Sequence, residues 1–287
     1  MMSGTTVAEA LRLAARSLAP HSDSPALDAE VLLAGVLGVE RPALIVRGSD
    51  PLASDAVRAY RGLIDQRARG MPVAYLTGRR EFWSLPLKVT PAVLVPRPET
   101  EILVEQALHL ISETEERSVL DLGTGSGAVA LAVASERPRA RVTGVDVSPA
   151  ALGIARDNSR SLALPNVAWR LGSWFEAVPG ERFDVVLANP PYVAAGDPAL
   201  ATLAAEPALA LVGGPTGLEA LETIVEGAAA HLESPGWLLL EHGSAQRREV
   251  AQLLERHGFR DVRSQDDYSG RPRVTLGTIH SPHQERP

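Results

Sequence analysis

The chain has 287 residues, 45% of them hydrophobic, with 28 basic and 35 acidic side chains and a formal net charge of -7. That apolar content supports a sizeable buried core and fits two domains better than one, which excludes a disordered chain, a collagen-like repeat and a small disulfide scaffold. The complete lack of cysteine excludes thiolate catalysis, cysteine-ligated zinc and iron-sulfur clusters, and the acidic balance leaves no global basic field to gather nucleic acid.

Residues 1–73 read as short amphipathic helices. Val7, Leu11, Ala14, Ala15 and Leu18 recur at helical spacing; Ser24-Pro25 is a start signal ahead of Leu27, Val31, Leu32 and Val36; Ser54 opens a segment carrying Val57, Tyr60 and Ile64 that Gly70 stops. The opening residues lack the basic and apolar regions of a secretory signal, and no apolar run approaches the roughly 18 to 20 residues of a membrane span. The expectation is a cytoplasmic protein with no membrane partner. Over residues 74–98 the pattern becomes extended and is broken by Gly78, Pro86, Pro91 and Pro96, which predicts a hairpin-containing linker.

From 99 to 280 helical and strand patterns alternate: helix 99–111, strand 118–123, helix 127–136, strand 141–147, helix 149–162, strands 166–170 and 183–190, helix 217–232, strand 236–243, helix 245–257, and a final strand pair at 260–263 and 273–279. Such alternation predicts an α/β fold with a largely parallel sheet covered on both faces. Residues 281–287 are polar and proline-containing and read as a flexible tail.

Two motifs carry chemistry. Asp121-Leu122-Gly123-Thr124-Gly125-Ser126-Gly127 lies between the first strand of this sheet and a helix, where alternate glycines allow a tight turn and close approach of backbone N–H groups to a ligand. The spacing is GxGxG, a poor match to a dinucleotide pyrophosphate and an argument against a nicotinamide dehydrogenase. Asp146 closes the next strand, where a carboxylate accepts both hydroxyls of a ribose. Asp121 either takes a ligand amino group or organises the turn. A ligand with adenosine, a cation and an amino-acid tail suits this carboxylate-lined pocket, and S-adenosylmethionine has all three. Trp174 and Phe175 follow the intervening strand and either flank the adenine ring or belong to the core.

The second motif is Asn189-Pro190-Pro191-Tyr192, at the carboxyl end of a strand. Prolines hold the preceding residues extended and donate no N–H, so the turn is stiff and presents acceptors. The Asn189 side-chain oxygen and the Pro190 carbonyl, set side by side, suit the two hydrogens of one planar NH2 group. Such a nitrogen is weakly nucleophilic because its lone pair is delocalised. Clamping both hydrogens, with Tyr192 packed against the group, aims the lone-pair face at an electrophilic methyl and needs no histidine base. The seven histidines show no ligand spacing, so no metal is expected.

Together these residues resemble the release factor glutamine N5-methyltransferase family. The resemblance covers nearly the whole chain and is strongest at Val95-Pro96-Arg97-Pro98-Glu99-Thr100-Glu101, at 121–127, at Asp146 and at 189–193; weaker matches are 208–218, Glu241-His242-Gly243 with Gln246, Gly258-Phe259, and Asp266-Asp267 before Gly270. It implies a seven-stranded, Rossmann-like class I methyltransferase sheet behind a helical domain that recognises the protein substrate. It also implies use of S-adenosylmethionine to methylate the glutamine of the Gly-Gly-Gln motif in class 1 peptide-chain release factors. By the same resemblance Gly123, Thr124, Gly125, Ser126, Gly127, Asp146, Trp174 and Asn189 contact the cofactor, while Asn189, Pro190, Pro191 and Tyr192 hold the glutamine. Two positions depart from the family pattern: Ser173 stands where an acidic residue is common, and Pro215-Thr216 stands where an aspartate commonly precedes Gly217.

In the linker, Arg97, Glu99 and Glu101 are candidates to face the cofactor mouth, with an interdomain ion pair as the other reading of Arg97. Leu94 lines the glutamine slot or is ordinary core. Two other functions fit the same motifs: an adenine N6-methyltransferase acting on DNA or RNA, since an exocyclic amine poses the same chemical problem, and a non-catalytic adenosine-ligand scaffold. The acidic balance and the lack of an added basic recognition domain argue against a stable nucleic-acid partner.

Overall fold

Helical periodicity accounts for the N-terminal part of the computed structural model, which describes residues 5–280. Helix α1 (Val7–Leu18) follows Thr6, whose hydroxyl accepts from the Glu9 amide at 3.3 Å, and buries Val7, Ala10, Ala14 and Leu18 along one stripe. Helix α2 (Pro25–Leu37) starts on a proline, whose missing N–H is harmless in a first turn, and ends at Gly38 in the left-handed conformation. Helices α3 (Arg41–Val46) and α4 (Ser54–Ala68) follow. The Tyr60 hydroxyl on α4 donates to the Ala29 carbonyl of α2 at 2.9 Å, and Arg67 pairs with the buried Asp28 at 2.7 Å. These bonds tie α4 to α2 beside an apolar cluster that includes Leu18, Leu32, Leu33 and Leu44.

Two features differ from the sequence reading. Helix α3 has only six residues, too few to show a period. Helix α5 (Val73–Thr77) occupies residues read above as extended; Gly78, at φ 73°, is its left-handed stop rather than a break between extended segments. Strands β1 (Arg79–Phe82) and β2 (Leu85–Lys88) then form a two-stranded hairpin that turns at Trp83 and Ser84, both at positive φ.

The remaining elements are α6 (Glu101–Leu110), β3 (Ser118–Leu122), α7 (Ala128–Glu136), β4 (Arg141–Asp146), α8 (Pro149–Ser161), β5 (Val167–Leu171), β6 (Phe183–Ala188), α9 (Glu219–Ala228), β7 (Leu232–Glu241), α10 (Arg247–Arg256), β8 (Arg260–Asp266) and β9 (Pro272–Ile279). They build a seven-stranded sheet in the order β5-β4-β3-β6-β7-β9-β8. The first five of these strands pair in parallel, and β9 runs antiparallel to both β7 and β8. This is the mostly parallel sheet that the alternation predicts. Its inward side chains belong to two apolar layers, one joining Val119 and Leu187 to Leu103 and Leu131, the other joining Leu120 and Val186 to Ile224 and Leu254. Helix α7 is buried at every position from 128 to 134, which is why it is apolar all round.

The chain divides into two units, Met1–Arg79 and Arg80–Pro287. The segment 281–287, read above as a flexible tail, lies outside the described residues. Among those described, no helix is long and apolar enough to cross a membrane. Strand order reverses at β3, with β4 on one side and β6 on the other, so the carboxyl ends of these three strands open onto one crevice.

Candidate active site

The loop after β3 is set by glycine. Gly123, Gly125 and Gly127 have φ of 72°, 56° and 83°, in the left-handed region that side chains disfavour. A Cβ on Gly127 would lie 2.9 Å from Trp169 and 3.1 Å from Leu131, whereas one on Gly125 would meet nothing nearer than 4.0 Å. Gly127 therefore serves packing, and Gly125 keeps the loop open to a ligand. The Thr124 amide donates to the Val145 carbonyl at 2.9 Å, and Asn158 donates to the Ser126 carbonyl at 2.9 Å while also bonding the Lys88 backbone.

Beside this loop is a cavity of about 370 Å3, within the few hundred Å3 usual for small-molecule sites. Asp121, Gly123, Thr124, Gly125, Ser126, Asp146, Trp174, Asn189 and Pro191 all lie on its wall, as do Leu94 and Ser173. Gly127, Pro190 and Tyr192 do not; Pro190 is buried and Tyr192 is half-buried behind the wall. Of the two aromatics after β5, Phe175 is core, stacked on His231 with ring centroids 4.6 Å apart, and Trp174 faces the cavity.

Two carboxylates set the electrostatics. Asp121 accepts from the Thr124 hydroxyl at 2.6 Å and from the Ala130 amide at 3.2 Å, so it organises the turn while also lining the cavity; burial pushes its pKa up to about 6. The two Asp146 oxygens accept from the Gly125 and Ser148 amides, each at 2.8 Å, and burial raises this acid as well. A carboxylate oxygen has lone pairs for more than one hydrogen, so both remain able to receive ribose hydroxyls.

Of the three linker charges, Arg97 is on the wall, and its partner is the buried Glu206, which also accepts from the Val95 amide at 3.0 Å. That ion pair lies inside the second unit, so the interdomain reading of Arg97 does not hold. Glu101 instead accepts from the Trp83 amide at 2.9 Å, and Glu99 is off the wall. With Arg97 matched by Glu206, the two aspartates leave a cavity that favours a cationic ligand.

The Asn189–Tyr192 turn is braced from behind. Asn189 Nδ2 donates to Thr100 Oγ1 at 3.1 Å, which leaves Oδ1 with no donor among the described residues. The Tyr192 hydroxyl donates to Glu241 at 3.3 Å. Gln246 donates to the carbonyls of Tyr192 and Gly217, each at 3.2 Å, and accepts from the Gly243 amide at 2.9 Å. Val193 exchanges backbone bonds with Leu211 and Gly213, at 3.0 and 2.9 Å. At the second departure from the family pattern, the Thr216 hydroxyl accepts from the Leu218 amide at 3.3 Å and donates to Glu219 at 3.1 Å, ordering the start of α9.

Sequence reasoning named Thr100, Glu241 and Gln246 only as part of the resemblance, with no role for any of them, and passed over Glu206. The usable signal was Glu241 itself, an acid closing the apolar run Leu238-Leu239-Leu240 of a buried strand.

A glycine loop, a strand-end aspartate and an Asn-Pro-Pro-Tyr turn at the switch point of this sheet define a methyltransferase, and two domain families match in that sense: PrmC N-terminal domain over residues 9–78 and Methyltransferase small domain over residues 99–266. A methyltransferase structure from Pyrococcus furiosus shares the fold, with a TM-score of 0.53 at 20% identity over 69% of this chain and 90% of that one. The release factor glutamine methyltransferase of Xylella fastidiosa (strain Temecula1) is 50% identical over 253 residues, 88% of this chain and 92% of that protein. The one from Salmonella typhimurium (strain LT2) is 46% identical over 258 residues, 89% and 93% of the two chains. This chain belongs to the release factor glutamine methyltransferase family.

Proposed function

We infer that this protein methylates the side-chain N5 of the glutamine in the Gly-Gly-Gln motif of class 1 peptide-chain release factors, with S-adenosylmethionine as donor. The reading places its work in translation termination, in the cytoplasm. The donor supplies an electrophilic methyl on a sulfonium: an N–C bond forms as the S–C bond breaks, and the nitrogen then gives up a proton. The residues fit such a ligand: open backbone at Gly125, a strand-end carboxylate at Asp146, Trp174 on the wall, and negative charge that Arg97 does not cancel.

The protein's own work is binding and orientation. Asp146 holds the ribose, Trp174 flanks the adenine, and Asp121 with the 123–127 loop positions the amino-acid tail. Asn189 Oδ1 and the Pro190 carbonyl take the two hydrogens of the glutamine amide and turn its lone-pair face to the methyl, while Pro191 and Tyr192 keep the turn rigid. Water or a neutral acceptor takes the released proton, which is strongly acidic once the nitrogen carries the methyl. The helical unit, matched by its own family, serves recognition of the intact release factor.

One observation carries the reading: the Asn189 amide sits at the end of β6 on the cavity wall with its nitrogen bonded to Thr100 and its oxygen unused. Asn189→Ala should lower kcat on a release factor by about 100- to 1,000-fold, the usual cost of one preorganised polar contact to a transition state, while the Kd for S-adenosylmethionine rises far less. Undiminished kcat in the variant would refute the clamp.

A further inference from the structure

Apolar side chains scattered singly over a surface are ordinary, so an exposed leucine means little until its surroundings are fixed. Leu209 is 67% exposed and also lies on the cavity wall. Its backbone is not slack. It occupies a single 3-10 turn, Ala208–Ala210, in which the Ala210 and Val212 amides donate to the Pro207 and Ala208 carbonyls, each at 2.9 Å. Two residues on, Leu211 is buried and its carbonyl accepts from the Val193 amide at 3.0 Å, which fixes the far end of the turn to the chain just after Tyr192.

The near end is fixed by Glu206. This buried carboxylate accepts from the Val95 amide at 3.0 Å and pairs with Arg97. Leu94 directly precedes Val95, is half-buried and lies on the same cavity wall. One carboxylate thus joins the two segments that carry Leu94 and Leu209. The pairing of Val193 with residues 211 and 213 also sets Leu209 on the side of the cavity built after β6, with β3 between it and the strand that ends in Asp146. That is the side of the amide clamp. Continuity with the clamp names the occupant, because a surface leucine beside it is covered by whatever the clamp holds.

We propose that Leu209, with Leu94, is a docking rim for the release-factor segment that carries the target glutamine, closing over the glutamine stem and the adjoining glycine backbone as that segment enters the cavity. The inference rests on the methyl-transfer reading above. Glycine suits such a rim, since a backbone without a side chain lets a leucine approach closely. The rim binds by removing apolar surface from water and makes no bond that strengthens as the methyl moves, so its work is in substrate affinity. Glu206 and Arg97 serve by holding the rim in place.

The test is steady-state methylation of an intact class 1 release factor by the full-length protein at saturating S-adenosylmethionine, with cofactor Kd, thermal unfolding and sedimentation measured alongside. Leu209→Ser should raise KM for the release factor about 10-fold, the order expected when a leucine loses part of its cover, and lower kcat far less. Leu209→Met should keep most of the affinity, and Leu94→Ala should move KM in the same direction as Leu209→Ser. Because the Leu209 side chain stands mostly in water, the unfolding temperature and the cofactor Kd should stay parental in Leu209→Ser. A merely structural leucine would give the reverse, a lower unfolding temperature at parental KM. Glu206→Gln should raise KM as well, and the Leu209 variants still decide the matter if that buried substitution unfolds the protein. A parental KM in Leu209→Ser, or a change in oligomeric state in place of a change in KM, would overturn this inference alone. A parent that leaves the release factor unmethylated would overturn the reading beneath it and the inference with it.

Discussion

Asp146 does two jobs with one carboxylate. Its oxygens already hold the Gly125 and Ser148 amides, fixing the loops at the ends of β3 and β4, and their remaining lone pairs are those assigned to a ribose. Asp146→Asn replaces one of those acceptors with a donor that faces an N–H, and it removes the charge. We expect the Kd for S-adenosylmethionine to rise about 10- to 100-fold in calorimetry, in line with the 1.5–3 kcal/mol typical of hydrogen bonds to charged groups. An unchanged Kd would remove Asp146 from the cofactor site. At this scale the sequence was informative wherever the chemistry is contiguous: the 121–127 loop, Asp146 and the Asn189–Tyr192 turn each stand out as short strings. It was uninformative where partners meet only in space, as Thr100 does with Asn189, or Glu206 with Arg97.

The turn after β6 is rigid for a reason beyond its prolines. The chain at 211–217 packs directly on it, and a Cβ on Gly213 would stand 2.3 Å from the Pro191 carbonyl oxygen and 3.0 Å from the Tyr192 Cα. Backbone at that distance has no cheap way to give. Gly213→Ala should therefore cost about 1–3 kcal/mol of stability, as overpacking does, and lower kcat on the release factor more than it weakens cofactor binding, because the displaced atoms belong to the clamp. Thermal unfolding and the two binding and rate constants would show it; wild-type kcat with wild-type stability would mean the packing is looser than described. Long alternating elements such as β3, α7 and β4 were legible from periodicity alone. The short helices α3 and α5 were not, because five or six residues show no repeat and because Gly78 reads equally as a strand break or a helix stop until its neighbours are placed.

The chain holds two units, a helical bundle that we propose recognises the protein substrate and a sheet whose strand ends assemble the cavity. The sheet order puts motifs 64 positions apart, at Gly125 and Asn189, around one crevice, which no local pattern could reveal but the alternation of elements already required. Nothing in the acidic, cysteine-free composition distinguishes a glutamine from an adenine as the methylated amine, since both offer a planar NH2; the family supplies that distinction. Mass spectrometry of a class 1 release factor incubated with the full-length protein and S-adenosylmethionine tests the account most directly. One added methyl, on the glutamine of the Gly-Gly-Gln motif, is the predicted result. An unmodified release factor beside a methylated adenine-containing oligonucleotide would contradict it.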